Sequence, residues 1–305
     1  MIQYIVRRLM HGVLVLVGVS IVVFSLIHLT GDPTSVLLPL NTPEEDVEIF
    51  RHQMGFDKPL VVQYGLFLSR AVQGDFGYSY RHRRPALPLV LDRLPATLKL
   101  TTVAFAFAML VSIPVGILAA LKRNTFIDGL ARLFTLLGQA FPGFWLAIML
   151  MLIFAVKLRW LPVSGSEGWK SLVLPGITVG SFIMAAVARL LRSSLLEVLG
   201  ENYILTAHGK GLNPRQVLTW HALKNAAIPV VTVGGLQITF LLGGSIIAET
   251  IFAYPGIGRL AFQAISTRDI PVIQAYVALT AVITIGLNLL VDIFYTWLDP
   301  RVRLA

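Results

Sequence analysis

The chain has 305 residues, of which 56% are hydrophobic and only 13% charged. Together with a mean hydropathy of +0.76, this excludes an ordinary soluble domain, where about a quarter of residues carry charge. The net charge of +9 comes from Lys and Arg dispersed among apolar runs, which argues against a nucleic-acid stripe, and the absence of cysteine excludes disulfides, thiolate metal sites and cysteine nucleophiles.

Leu9–Leu29 is an apolar run that follows Arg7 and Arg8. It is too long for the core of a signal peptide and no small-residue cleavage site follows, so it reads as a first transmembrane helix. Five more candidates follow at 96–121, 133–156, 172–191, 227–249 and 273–298, each near or above the ~20 residues needed to cross hydrocarbon. The fourth is the weakest, being short and interrupted by Pro175, Gly176 and Gly180. The expected fold class is an all-α integral membrane protein. It has six transmembrane helices, a small helical extracytoplasmic insertion over 30–95, and a five-helix core over 96–305. With the N-terminus inside, the inner segments carry twelve Lys and Arg against five on the short outer loops. The positive-inside rule then places both termini, and the polar interval 201–226, in the cytoplasm.

Within the insertion, Thr42-Pro43-Glu44-Glu45 has the form of a capping-box start, with Gly55 as the stop about three turns later. Asp57-Lys58-Pro59 opens a second helix, whose Leu60, Val61, Tyr64, Phe67, Leu68 and Val72 suggest a buried face before Gly74.

The interval 201–226 predicts two short helices around a turn. Tyr203, Leu205 and Ala207 lead to Gly209, Lys210 and Gly211, where glycine permits backbone shapes that other residues resist. Asn213 reads as an N-cap with Pro214 at the first helical position. Val217, Leu218, His221, Ala222 and Asn225 then recur at helical spacing until Ile228-Pro229 opens the next apolar run.

Ala207-His208-Gly209-Lys210-Gly211-Leu212, then His221-Ala222-Leu223-Lys224-Asn225 and Ile228-Pro229, resembles the cytoplasmic coupling loop of ABC-importer permeases of the dipeptide/oligopeptide/nickel branch. Gly211 matches that loop's central glycine. Leu205 stands where the general motif has an acid, the proline falls at Pro229 rather than after Leu223, and His208-Gly209 replace the usual arginine and small residue. The resemblance extends along the chain through Gly31-Asp32-Pro33, Gly55 to Pro59, Gly74-Asp75-Phe76-Gly77, Leu94 to Leu98, Gly243 to Glu249, Tyr254 to Arg259 and Asp299-Pro300-Arg301.

The resemblance implies a permease subunit in a bacterial inner membrane that imports di- or oligopeptides, with glutathione or a nickel chelate as alternative cargo. It implies a homologous second permease, two ATP-binding subunits that hold ATP and Mg, and an extracytoplasmic solute-binding protein, all beside membrane lipid. It assigns ATPase coupling to Tyr203, Thr206, Ala207, His208, Gly209, Lys210, Gly211, Leu212, His221 and Asn225. Its alternating-access mechanism would move this loop as the ATPases close.

The residues themselves agree with a chain that borrows its energy. The lone Gly-Lys pair, Gly209-Lys210, is followed by Gly211, so no phosphate-binding Gly-x-x-x-x-Gly-Lys-Ser/Thr loop exists. Serine-nucleophile and HExxH signatures are absent, and the six histidines form no metal-ligand spacing. Two acids lie in spans. Asp292, in the sixth, suits a hydrogen-bonding group between packed helices better than a proton relay. Glu249, closing the fifth on its outer side, suits a gate or path residue and a structural cap equally. An ATP-independent channel or secondary carrier remains the rival from another class.

Overall fold

The computed structural model describes residues 2–29, 42–79 and 81–298; Gly31-Asp32-Pro33 and Asp299-Pro300-Arg301 lie outside them. In chain order the elements are α1 (Ile2–Leu29), α2 (Glu44–Met54) and α3 (Leu60–Val72), then the short strands β1 (Tyr78–Ser79) and β2 (Arg84–Pro85). There follow α4 (Ala86–Leu121), α5 (Phe126–Ala140) and α6 (Gly143–Leu150), the last prolonged by a π-helical turn over Met151–Lys157. A 3-10 turn, Trp169–Leu172, leads into α7 (Val173–Leu199). The remainder is α8 (Asn202–Gly209), α9 (Pro214–Gln216) with a π-helical turn over Val217–Ala222, α10 (Leu223–Ile251), α11 (Ile257–Ser266) and α12 (Ile270–Leu298).

Among the described residues, five helical stretches are long and apolar enough to cross a membrane: Arg7–Ser25, Ala86–Leu121, Trp169–Leu199, Pro214–Gly243 and Ile270–Val291. The pair α5–α6 makes a sixth if its two halves count as one span, and they meet at 105°. The third expected span is therefore broken. Phe141 leaves the helical region at ψ 129°, and Pro142, which carries no N–H, caps α6. The fourth expected span is unbroken and runs on to Leu199.

The chain divides into two compact units, residues 1–96 with 255–289, and 97–254 with 290–305. In the first, Ala86, Leu89, Val90, Ile257, Leu260, Val272 and Ala275 form the buried cluster. β1 pairs antiparallel with β2 in the register Tyr78↔Pro85, and the buried Ser79 hydroxyl donates to Asp269. α2 begins at Glu44 with Pro43, not Thr42, as its N-cap residue and stops at Gly55, whose φ of 75° needs a residue without Cβ. α3 departs from the expected face. Tyr64 and Phe67 pack on Phe24 of α1, but Val61 and Val72 are each 82% exposed. Its one buried residue is Gln63, whose amide donates to the carbonyls of Phe56 and Lys58.

The second unit is organised on α7. Small residues let α4 approach closely: a Cβ at Gly180 would lie 2.5 Å from the Ala104 carbonyl oxygen, and one at Gly116 would lie 2.9 Å from that of Ala188. Gly138 on α5 faces Ala185 in the same way. Glycine and proline signs read as weakness in this span are thus contact surface. An ion pair adds to the packing. The fully buried Asp128, in the first turn of α5, accepts from Arg192 Nε at 2.7 Å and from its Nη2 at 2.9 Å. The Asn124 amide donates to the same carboxylate at 3.1 Å, leaving it well satisfied.

Candidate functional site

The interval 201–226 folds as a two-helix knuckle. α8 closes with a Schellman motif: Gly211 N–H donates to His208 O at 2.9 Å and Leu212 N–H to Ala207 O at 3.4 Å. That geometry sets Gly211 at φ 78°. A Cβ there would meet nothing within 4 Å, so the glycine is required by backbone conformation rather than by space.

The chain then turns into α9 through a capping box. Asn213 Oδ1 accepts from the Arg215 amide, and Gln216 Oε1 accepts from the Asn213 amide, each at 3.1 Å. α9 does not stop at Ile228-Pro229. It continues through the π-helical turn into α10, with Pro229 inside the helix, so the knuckle's second arm and the following span are one rod.

The underside of the knuckle is apolar and buried. Ile204 and Ala207 from α8, with Val217, Ala222 and Ala226 from the second arm, join a cluster with Val187, Leu191 and Leu195 of α7 and Ala120 of α4. The two arms are also clasped directly, as Asn225 Nδ2 donates to the Tyr203 hydroxyl at 2.8 Å and to His221 O at 3.3 Å. His208 Nδ1 bonds Ile204 O within its own helix, and Thr206 Oγ1 donates to Asn202 O.

The ten residues singled out from the sequence therefore divide. Ala207 is buried and Leu212 half-buried beneath the knuckle, whereas Tyr203, Thr206, His208, Gly209, Lys210, Gly211, His221 and Asn225 are exposed. The largest exposed apolar groups were not among them: Trp220 is 76% and Leu205 66% exposed. An aromatic two residues before the small Ala222, and so across the helix from it, was the available signal.

Glu249 lies elsewhere, near the C-terminal end of α10. It is fully buried, accepting from Thr97 Oγ1 at 2.6 Å, and its carbonyl accepts from the Tyr254 amide at 2.8 Å. Thr97 appeared in the sequence only as part of a motif. The side chain of Asp292 lies outside the described residues.

This arrangement of helices around α7, with a helical knuckle before the span at α10, is the fold of the membrane subunits of ABC importers. The chain is similar to the solved inward-facing MetNI methionine ABC transporter, with TM-score 0.59 and 19% identity over 69% of this chain and 96% of that one. It is similar also to an amino acid ABC transporter crystallised with histidines, with TM-score 0.55 and 17% identity over 68% and 93%. Residues 112–304 match the binding-protein-dependent transport system inner membrane component, and residues 1–101 match that system's N-terminal membrane component.

The chain belongs to this family of binding-protein-dependent inner-membrane transport components. It is 40% identical to the dipeptide transport system permease protein DppB of Alkalihalophilus pseudofirmus, over 99% of this chain and 100% of that protein. It is also 40% identical to the glutathione transport system permease protein GsiC of Escherichia coli K12, over 99% of each. It is a multi-pass inner-membrane permease subunit of an ABC importer, not the catalytic subunit.

Proposed function

We propose that this chain forms half of the solute passage of a short-peptide importer and takes its drive through the knuckle at 201–226. The observation that carries the reading is the single rod from Pro214 to Ile251. A partner pushing on the exposed face of Tyr203, Leu205, Lys210 and Trp220 displaces α8, the clasp to Asn225 carries the motion to the second arm, and that arm is the span itself. Two ATP-binding subunits, holding ATP and Mg, supply the push. A homologous second permease completes the passage, and an extracytoplasmic solute-binding protein delivers the cargo. Both termini and the knuckle lie in the cytoplasm, consistent with the bias of Lys and Arg toward those segments. Short peptides are the favoured cargo and glutathione the second reading, each supported by a 40% identical relative spanning the chain.

At the far end of the rod, Glu249 and Thr97 pin α10 to α4. A rotation of α10 would either carry α4 with it or break this bond, which supports the reading of Glu249 as a gate.

The test is the assembled transporter bearing Gly211→Val or Trp220→Ser. Gly211→Val forces a β-branched residue into the left-handed region, a cost of about 1–2 kcal/mol that opens the α8 terminus. Trp220→Ser removes exposed contact area and leaves the fold alone. Both variants are expected to lose stimulation of ATP hydrolysis by loaded binding protein while still crossing the membrane. Normal stimulation in both, with normal assembly, overturns the coupling role.

A further inference from the structure

We propose that a recess at one end of the α4–α5–α7 packing holds the phosphate of an anionic phospholipid. The recess is open to solvent and lined by Arg132, Arg189 and Arg192 together with the small residues Ala119, Ala131 and Ala188. Three guanidinium groups face one carboxylate, Asp128, which Arg192 already binds through both nitrogens. Arg132 reaches the same carboxylate only at 3.5 Å, and Arg189 donates to the neutral Gln139 side chain. The cluster therefore keeps two positive charges in excess, and both of those guanidinium groups belong to exposed residues.

Their depth fits a headgroup. Ala119 is two residues from the end of α4 and Arg132 six from the start of α5, roughly half a turn and just under two turns from the ends of these helices. An arginine whose charge is not balanced by a carboxylate of its own would be costly in hydrocarbon, whereas one at this level meets lipid phosphate. Beyond Arg132 along α5 the exposed residues are apolar, Leu133 and Leu136 foremost at 52% and 59%. A ligand that pairs with two guanidinium groups and also lies along that strip is an amphiphilic anion. Basic pockets between spans take such headgroups, and the planar guanidinium matches phosphate oxygens two at a time. The inference requires only that these helices end at a membrane surface, whichever side that is.

The transporter complex, washed in a neutral detergent and then equilibrated with mixed micelles of equal phosphatidylglycerol and phosphatidylcholine, tests it by the lipid retained per chain. Wild type is expected to retain phosphatidylglycerol in preference. Arg132→Gln and Arg189→Gln each lower that retention roughly fivefold, and together about thirtyfold, at the strength typical of one basic residue at a lipid surface. Both substitutions leave the Asp128–Arg192 pair intact, so an unchanged elution profile and thermal midpoint show that the fold survives. Equal retention of the two lipids, or unchanged retention by the double variant, overturns the proposal. Displacement of phosphatidylglycerol by excess inorganic phosphate also overturns it, because the apolar strip would then contribute nothing. Loss of the second permease from the double variant, with lipid retention unaltered, would make the recess a protein contact instead.

Discussion

Two of the spans are equally apolar and packed in opposite ways. The best window of Arg7–Ser25 on α1 has mean hydropathy 2.0 and that of Trp169–Leu199 on α7 has 1.9, yet 11% of the first is buried within the chain and 72% of the second. What differs is the small residues set among the large ones. α1 presents Leu9, Met10, Val13, Leu14, Ile21 and Val22 outward, while α7 buries Gly176, Thr178, Gly180, Ser181, Ala185 and Ala188 between Leu174, Ile183, Met184, Val187, Leu191 and Leu195. Hydrocarbon solvates leucine as well as another helix does, so apolarity alone gives helices no reason to associate. Small residues do, because they let backbones approach until dispersion and polar contacts count. Hydropathy thus says that a helix crosses, and side-chain volume says which helix its neighbours gather around.

The harshest test of that comparison removes the polar contact holding α5 to α7. Asp128→Ala leaves Arg192 partly buried without its carboxylate and the Asn124 amide without its acceptor. Breaking one side of a buried pair costs about 3–5 kcal/mol. The variant is expected to lose most of its folded, monodisperse fraction on size-exclusion chromatography in mild detergent after heating. Wild-type survival would mean that glycine packing alone holds these helices.

Next comes the packing itself. Gly180→Val sets a branched side chain where a Cβ would already lie 2.5 Å from the Ala104 carbonyl oxygen and 3.1 Å from the Phe107 ring. Backbone cannot yield as a flexible side chain can, so overpacking should cost about 1–3 kcal/mol and lower the midpoint of thermal unfolding in detergent. A variant as stable as wild type would mean that α4 and α7 are not held so closely.

Those glycines show how the sequence was and was not legible. Pro175, Gly176 and Gly180 read locally as interruptions, because propensity counts what a residue does to its own helix and is silent on what packs against it. Pro142 was visible too, but whether a proline kinks a helix or ends it depends on the neighbours. Here it ended one at 105°, whereas Pro229 lies within a continuous helix. Signals confined to a few residues read better, although Pro43 and not Thr42 caps α2. The Asn213 cap is present with its reciprocal bonds, and Gly55 closes α2 in the left-handed region. Pairs far apart in the chain did not: Thr97 is 152 residues from Glu249 and Asp128 is 64 from Arg192. No periodicity connects such positions. On α3 the failure was of another kind. A membrane protein can leave Val61 and Val72 exposed, so apolar spacing there no longer implied a protein-covered face.

The gentlest prediction concerns α1. A Cβ at Gly18 would meet nothing within 4 Å, in contrast to Gly180, although both are glycines inside apolar helices of similar hydropathy. Gly18→Leu adds a good helix former and fills open space, so the chain should lose no stability, with any change inside about 0.5 kcal/mol of wild type as for other substitutions away from packed features. The measurement is the same thermal midpoint, taken on the chain alone and on the assembled transporter. A fall in the chain alone would mean that α1 is packed at Gly18 as it is at Gly12, where a Cβ would lie 2.8 Å from Ile285, and the distinction drawn from side-chain volume would fail. A fall confined to the assembly would give the exposed side of α1 a protein neighbour, and would show that bulky residues too can form a contact surface when the partner supplies the small ones.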